Sequence, residues 1–262
     1  MNLQRIIALV IRNLYLYKRS IPRLMDVAFW PTLDVVLWGF LSFYLQKMNL
    51  PGVNIVTLLL GAVIFWEFLN QSQRAVSIAF LEEVWERNFL NIFVTPISLS
   101  EFLFSTIIVG LVRLFLVAIV MGILAFFIYH FNLFVLGFSL IPFIINLLLF
   151  GWSLGIFITA IILRYGTSAQ VLAFGLIVII QPFTAVFYPV SALPQAIQWV
   201  SYLIPSTYVF EGMRAVLTTG AISVMDLLYA FLLNIIYLFF MLWFFKTMFR
   251  KVKAMGRLLK LD

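Results

Sequence analysis

The chain has 262 residues, of which 65% are hydrophobic and only 10% are charged, and its net charge is +7. Its mean hydropathy of +1.13 is too high for a water-soluble domain, because a domain of this size could not bury so much apolar surface. The chain has no cysteine and one histidine, which excludes disulfides, thiolate metal sites and a histidine cluster.

Six apolar stretches are each long enough to cross a bilayer. A span needs roughly 20 residues, since about 30 Å of hydrocarbon is crossed at about 1.5 Å per helical residue. In lipid every backbone polar group must be paired internally, so such stretches form helices. The sequence therefore predicts an all-α integral membrane protein with a single transmembrane permease domain over 1–262. The predicted spans are 25–46, 55–79, 99–129, 134–163, 171–188 and 224–245.

Residues 1–22, before the first span, predict an amphipathic helix. Arg5, Arg12 and Arg19 are seven residues apart and so share one face, while apolar residues recur at helical spacing on the other. A helix of this kind lies in the membrane plane with its basic face toward the headgroups of anionic membrane lipids. The alternative is a first span that extends into the cytoplasm.

The basic residues predict the orientation of the chain. With both termini inside, 14 of the 17 basic residues lie on the inner side, and only Lys47 and Arg214 lie on the outer side. Because lysine and arginine concentrate in cytoplasmic loops, both termini are expected in the cytoplasm. Since these residues occupy the termini and loops, their charge indicates membrane topology and no nucleic-acid partner.

Segment 82–95, between the second and third spans, is the most charged part of the chain away from the termini. It predicts a short cytoplasmic helix with an acidic side and an aromatic side. Exposed aromatic residues surrounded by charge are typical of a docking site for a partner. The alternative is a helix that lies on the membrane with its tryptophan at headgroup level. The candidate contact residues are Glu82, Glu83, Trp85, Glu86, Arg87 and Phe89.

Four ionisable residues fall within the predicted spans: Asp34, Glu67, Arg74 and Arg113. A charge at mid-span costs roughly 2.5–3.5 kcal/mol on insertion scales, so each side chain should face protein or water. Glu67 and Arg113 are expected at similar depth, and Glu67 and Arg74 share a helix face. Structural ion pairing inside the bundle is therefore the preferred interpretation, and a proton or ion relay is the alternative.

Residues 189–222 are divided by prolines into pieces of about ten residues, which are too short to span. The pieces are too apolar to lie in water, so we expect a re-entrant hairpin that closes the outer end of a pathway. The alternative is a connecting helix that only packs on the bundle. The residues assigned to this outer gate are Pro189, Pro194, Trp199, Pro205, Glu211 and Arg214.

The chain contains no P-loop, GxGxxG, HExxH or paired-aspartate motif, so no enzymatic function is predicted from its residues. Gly151 and Gly155, in the run GWSLG, have the spacing of small residues that allow helices to pack closely.

Four features together resemble the membrane subunit of type 2 ABC exporters, and they cover nearly the whole chain. The basic helix RNLYLYKRSIPR precedes the first span, and EEVWERNFLNIFVTPIS occupies the place of the family's coupling helix, with Thr95 and Pro96 near its end. The proline-rich run FYPVSALPQAIQWVSYLIPSTYVFEGMRAVL precedes the last span. The fourth feature is the predicted count of six spans with both ends inside.

The resemblance implies a permease subunit of the cell inner membrane that pairs with a second copy, as a homodimer, and with separate ABC ATPase subunits. ATP and magnesium would bind to the ATPase, so no cofactor is expected in this chain. The family exports polysaccharides, lipid-linked glycans, lipids and drugs, and the neutral outer loops here favour an amphipathic cargo. One alternative is a secondary transporter or channel with Asp34, Glu67 and Arg113 as its ion path. A membrane-embedded transferase would need an acid–base or metal cluster that the sequence lacks.

Overall fold

The computed structural model describes residues 1–48, 54–132, 137 and 140–255. The predicted turn 47–54, the start of the predicted span 134–163 and the end of the basic tail lie partly outside these residues. The described chain forms helices α1 Leu3–Arg19, α2 Ile21–Lys47, α3 Ile55–Trp85, α4 Phe89–Val94, α5 Leu99–Tyr129, α6 Leu140–Tyr165, α7 Gln170–Ile180, α8 Gln195–Tyr202, α9 Pro205–Thr219 and α10 Val224–Ala254.

Within the described residues, five helical stretches are long and apolar enough to cross a membrane. Four of them are α2, α3, α5 and α10, and the fifth is the continuous stretch Leu140–Phe183, which contains α6 and α7. The prediction of a multi-pass, all-helical protein is therefore confirmed, whereas the count of six spans stays a prediction. Helices α3 and α10 also extend further than predicted, to Trp85 and Ala254.

The predicted span 171–188 contains a helix of only 11 residues, α7. Two sequence features limit this helix. Gly166 takes a left-handed φ of 64° and helps to reverse the chain after α6. Pro182 lies two positions after the last residue of α7, in the 3-10 turn Gln181–Phe183, because proline disfavours continuation of an α-helix.

Helix α7 nevertheless runs back along α3. The indole nitrogen of Trp85, at the end of α3, lies 3.2 Å from Oε1 of Gln170, and Nε2 of Gln73 lies 3.2 Å from the carbonyl oxygen of Ala173. Helix α7 therefore runs antiparallel to α3. The chain from 170 toward 188 returns beside α3 even though its helix is shorter than a span.

Helices α3, α6 and α10 form what we call the packed seam. A Cβ atom at Gly151 would lie 1.8 Å from Oγ of Ser72, and one at Gly155 would lie 2.7 Å from the carbonyl oxygen of Gln73. Both glycines therefore allow α6 to approach α3 closely, which confirms the prediction from their spacing. Between α6 and α10, Nδ2 of Asn234 donates to Oδ1 of Asn146 over 3.0 Å.

We name the two ends of the bundle after the helices that lie there. At the α1 end, α1 packs against the start of α5 and buries Ile6 and Leu9. The predicted N-terminal helix is thus present, with Leu3, Ile7 and Ile11 of its apolar residues exposed, while its position relative to a membrane stays a prediction.

At the α9 end, α8 and α9 form a hairpin whose turn lies beside α10, with Leu203 62% exposed. The Tyr237 hydroxyl donates to the Leu203 carbonyl over 3.2 Å, and Tyr237 is thirteen residues into α10. Thirteen residues of helix correspond to about 20 Å, so the turn approaches the middle of α10. Gly220, with a left-handed φ of 70°, then connects α9 to α10. The helices α8 and α9 lie within the segment 189–222, and the re-entrant character of that segment and its role as a gate stay predictions.

Candidate functional site

The acidic residues predicted to begin a separate helix at 82 instead belong to the end of α3. Arg87 takes a left-handed φ of 53°, its N–H donates to the Val84 carbonyl, and the Asn88 N–H donates to the Glu83 carbonyl. These two bonds form a Schellman turn, which satisfies the last carbonyls of α3. The single helix expected over 82–95 is therefore corrected to a helix end, a turn and a second short helix.

That second helix, α4, has six residues and ends before Pro96. Thr95 is extended, with φ −75° and ψ 162°, because a residue that precedes proline avoids the helical region. Val94 is 85% exposed and Asn91 is also exposed, so α4 presents a mixed surface at the α1 end. The side chain of Phe89, one of the predicted docking residues, lies outside the described part of the structure.

Glu83 is buried and holds α1 against α3. Its carboxylate accepts from both terminal nitrogens of Arg12, over 2.6 and 3.0 Å, and from Nδ2 of Asn88 over 2.7 Å. The bond to Glu83 raises the pKa of the Arg12 guanidinium above its usual value. A bidentate pair of this kind fixes orientation as well as distance.

Glu82 and Glu86 both contact Arg23, near the start of α2. Nη2 of Arg23 lies 2.5 Å from Oε1 of Glu86 and 3.4 Å from Oε2 of Glu82. All three predicted acidic contacts are therefore bound to arginines of this chain, and the acidic side expected to face a partner faces α1 and α2 instead. Spacing could not show this, since the partners are 59 to 71 residues away in sequence.

Glu101 is a fourth carboxylate at this end, and the sequence analysis missed it. It completes a capping box with Ser98 at the start of α5 and accepts from the Asn2 backbone N–H over 2.6 Å. Arg5 lies 3.9 Å from it and also donates to the Pro96 carbonyl. The run Ser-Leu-Ser-Glu at 98–101 is a recognisable capping signal and could have identified this residue. We call these contacts of Arg5, Arg12 and Arg23 the ion-pair network.

The network adds protein partners to the basic face of α1. Arg5 and Arg12 contact carboxylates of the protein, whereas Arg19 is exposed, and the contact of this face with lipid headgroups stays a prediction. Among the predicted docking residues, Trp85 is 48% exposed and Arg87 is exposed. Helix α4, Trp85 and Arg87 are therefore part of the accessible surface at the α1 end.

The four charges predicted within the spans are divided between two places. Arg113, on α5, donates to the Tyr17 hydroxyl over 2.7 Å, and its guanidinium carbon lies 4.9 Å from the centre of the Tyr17 ring. Glu67 accepts from Gln71 over 2.7 Å and, more weakly, from Asn70 over 3.4 Å. The ion pair expected between Glu67 and Arg113 is thus not the arrangement found, because Arg113 extends back toward the α1 end.

Asp34, Glu67 and Arg74 line one cavity of about 320 Å³ between α2, α3 and α7, which we call the charged cavity. Glu67 is 2% exposed and Asp34 is half-buried. Asn70 adds a polar group, and the remaining wall is formed by Trp30, Ala173, Phe174, Ile177 and Val178. The structure therefore brings both predicted acidic residues to one space and leaves Arg113 out of it, so the three-residue ion path is not assembled.

A second cavity, of about 210 Å³, adjoins the first toward the α1 end. Arg74 and Phe174 line both cavities. The second cavity is also bordered by Arg23 and Glu82 of the ion-pair network and by the exposed Trp85. The two cavities therefore lie next to each other along α3, between the ion-pair network and Glu67.

At the α9 end, Glu211 and Arg214 bind the backbone of the segment that follows α7. Nη2 of Arg214 donates to the carbonyls of Ala185 and Tyr188 over 2.6 and 3.0 Å, and Glu211 accepts from the Val190 N–H over 2.7 Å. Burial lowers the pKa of Arg214 below its usual value. The two side chains were expected to pair with each other or stay in water, and they instead fasten α9 to this segment.

The other predicted gate residues mark where the hairpin changes direction. Pro189 and Pro194 directly precede a 3-10 turn and α8, and Pro205 is the first residue of α9. Trp199, on α8, is 77% exposed. The ring of Phe187 stacks on Trp38 of α2 at 4.0 Å, so this segment also contacts the helix that borders the charged cavity.

Residues 4–218 match the family described as ABC-2 type transporter. The chain belongs to this family. It is thus a membrane subunit of a type 2 ABC transporter, a multi-pass transport protein of a class that has no ATPase site of its own. Subunits of this family normally work with an ABC ATPase. No curated protein matches the chain.

Proposed function

We propose that this chain is the permease half of an ATP-driven exporter in the cell inner membrane. Two copies would pair, two separate ABC ATPases would bind at the α1 end, and both termini would lie in the cytoplasm. An amphipathic molecule, such as a lipid, a lipid-linked glycan or a drug, would be moved toward the α9 end. The observation that carries the proposal is α4, a short helix that connects the ends of two long helices, α3 and α5, next to the ion-pair network.

The ATPase contact would be made by α4, together with Trp85 and Arg87. This assignment differs from docking through the acidic residues, because those carboxylates are already bound to arginines. Val94 and Asn91 are exposed, and an exposed apolar residue beside a polar one suits the centre of a small interface.

The ion-pair network would transmit ATPase closure to the spans. A movement of α4 acts on the end of α3, and Arg12 and Arg23 connect that end to α1 and α2. Helix α2 borders the charged cavity, so the same movement would change the width of that space. The hairpin of α8 and α9 would close the other end, where it is fastened by Glu211 and Arg214.

Site-specific crosslinking tests this proposal. A photoreactive amino acid is placed at Val94, and adducts formed in membranes are identified by mass spectrometry. We expect peptides of an ABC ATPase with a Walker A motif. The matched control places the same amino acid at Thr219, which is exposed at the α9 end and should give no ATPase adduct. Transport that persists in vesicles without ATP, together with no ATPase adduct at 94, would favour a secondary transporter instead.

A further inference from the structure

We infer that the charged cavity binds the positively charged group of an amphipathic organic cation, and that this class of molecule is the cargo. The inference rests on the proposed export function and specifies its substrate. It was not visible in the sequence, in which Asp34 lies in a different span from Glu67 and Arg74.

The first argument is the balance of charge. The cavity is lined by two carboxylates, Asp34 and Glu67, and by one guanidinium, Arg74. Ionisable groups within spans are costly and require a partner or water. The described wall therefore carries more acidic than basic groups, so a guest with a positive charge is favoured there over an anion.

The second argument is the geometry of the two carboxylates. Glu67 is buried and held by amide groups of Gln71 and Asn70 on its own helix. Asp34 projects from the opposite wall, on α2, and is half-buried. A group between them would therefore contact carboxylates from two helices, one fixed and one accessible.

The third argument is the remaining wall. Trp30 and Phe174 present aromatic rings to the same space, and Ile177 and Val178 make the rest of it apolar. A cation is attracted to the face of an aromatic ring, most strongly to tryptophan. Aliphatic walls exclude small hydrated ions and favour a guest with an apolar body. Acidic and aromatic groups in one cavity therefore fit an organic cation better than a metal ion, an anion or a neutral sugar.

The adjoining cavity lies toward the α1 end. It shares Arg74 and Phe174 with the charged cavity, and its lining adds Arg23, Glu82, Tyr17 and Trp85. Glu82 is paired with Arg23 there, so the feature that this cavity has in common with the charged cavity is its aromatic rings. A guest that enters from the α1 end would pass these rings before it reaches Asp34.

The test compares two probes of nearly the same shape and opposite charge, tetraphenylphosphonium and tetraphenylborate. Binding of each to the full chain in lipid nanodiscs is measured, with empty nanodiscs subtracted. We expect the cation to bind at least tenfold more tightly than the anion. Asp34→Asn should weaken cation binding about tenfold, which corresponds to about 1.4 kcal/mol. Arg74→Gln should strengthen it, because the competing positive charge is removed.

The matched control is Asp226→Asn, the same chemical change near the first turn of α10 and away from the cavity, which should leave binding unchanged. Equal binding of both probes, or equal cation binding by Asp34→Asn and the unsubstituted chain, would overturn the inference. Because Asp34 is only half-buried, its variant should fold even if Glu67→Gln does not. No ATPase is present in the assay, so its result is independent of the crosslinking at Val94, and the two proposals can fail separately.

Discussion

The packed seam and the charged cavity both border α3, but the seam is closely packed whereas the cavity leaves open space beside that helix. At the seam, glycines bring α6 so close that a single added Cβ would collide with Ser72. At the cavity, α2 and α7 leave about 320 Å³ lined by charged and aromatic groups. Closely packed interfaces resist small displacements, whereas a polar cavity can change width at low cost. The comparison suggests that α3, α6 and α10 move as one body and that α2 and α7 move relative to it.

The largest effect is expected where the seam itself is disrupted. Gly151→Leu forces a side chain into the space of Ser72 and should destabilise the fold by about 3 kcal/mol or more, since overpacking is not easily relieved. Gly122→Leu makes the same chemical change where no atom lies within 4 Å of the added Cβ. In detergent, the unfolding temperature should fall strongly for Gly151→Leu and little for Gly122→Leu. Equal unfolding temperatures would show that the seam is not closely packed.

The next effect concerns the link from α1 to α3. Arg12→Gln leaves the buried Glu83 carboxylate without its bidentate partner and should cost about 3 kcal/mol. The double variant Arg12→Gln, Glu83→Gln should be less destabilised than the single one, because no lone charge is then buried. Arg19→Gln, on the exposed face of the same helix, is the control and should change the unfolding temperature little. A double variant that unfolds as easily as Arg12→Gln would contradict the pairing.

A smaller and more local effect is expected at the α9 end. Arg214→Gln removes the charge-assisted bonds to the Ala185 and Tyr188 carbonyls, each of which contributes about 1.5–3 kcal/mol at most. The global fold should persist while segment 184–190 loosens. A cysteine at Phe187 should then react faster with a water-soluble thiol reagent, and the chain offers no background cysteine. Arg250→Gln, which changes an exposed cation on α10, is the control and should leave this rate unchanged. If Arg214→Gln also reacts at the rate of the unsubstituted background, the bonds from Arg214 do not hold the segment in place.

The sequence predicted the long helices well because their signal is local. The predicted span 99–129 has the same bounds as α5, and the glycine spacing in GWSLG identified the contact of α6 with α3. The sequence did not predict the end of α7 at Ile180, because apolar composition alone hides the effect of Pro182, and the span at 171–188 stays a prediction. Hydropathy measures transfer to lipid and does not measure whether the backbone can continue as a helix.

The partners of the charged residues were much harder to predict. Glu82, Glu83 and Glu86 lie within five positions of each other, so their local pattern indicated an acidic surface. Their arginines come from α1 and α2, and only the packing of those helices shows that the surface is occupied. The same limit applies to Asp34 and Glu67, which belong to different spans and meet in one cavity.

The central claim is that the charged cavity changes width during the ATP cycle while the packed seam does not. Cysteines replace Trp30 and Phe174, which both line the cavity, and a short bismaleimide joins them. This crosslink should stop ATP-driven transport by the complex reconstituted with its ATPase. A control crosslink joins cysteines at Phe157 and Phe244, whose rings lie 5.5 Å apart between α6 and α10, and transport should continue. Full transport with the cavity crosslinked, or equal loss with either crosslink, would contradict the account.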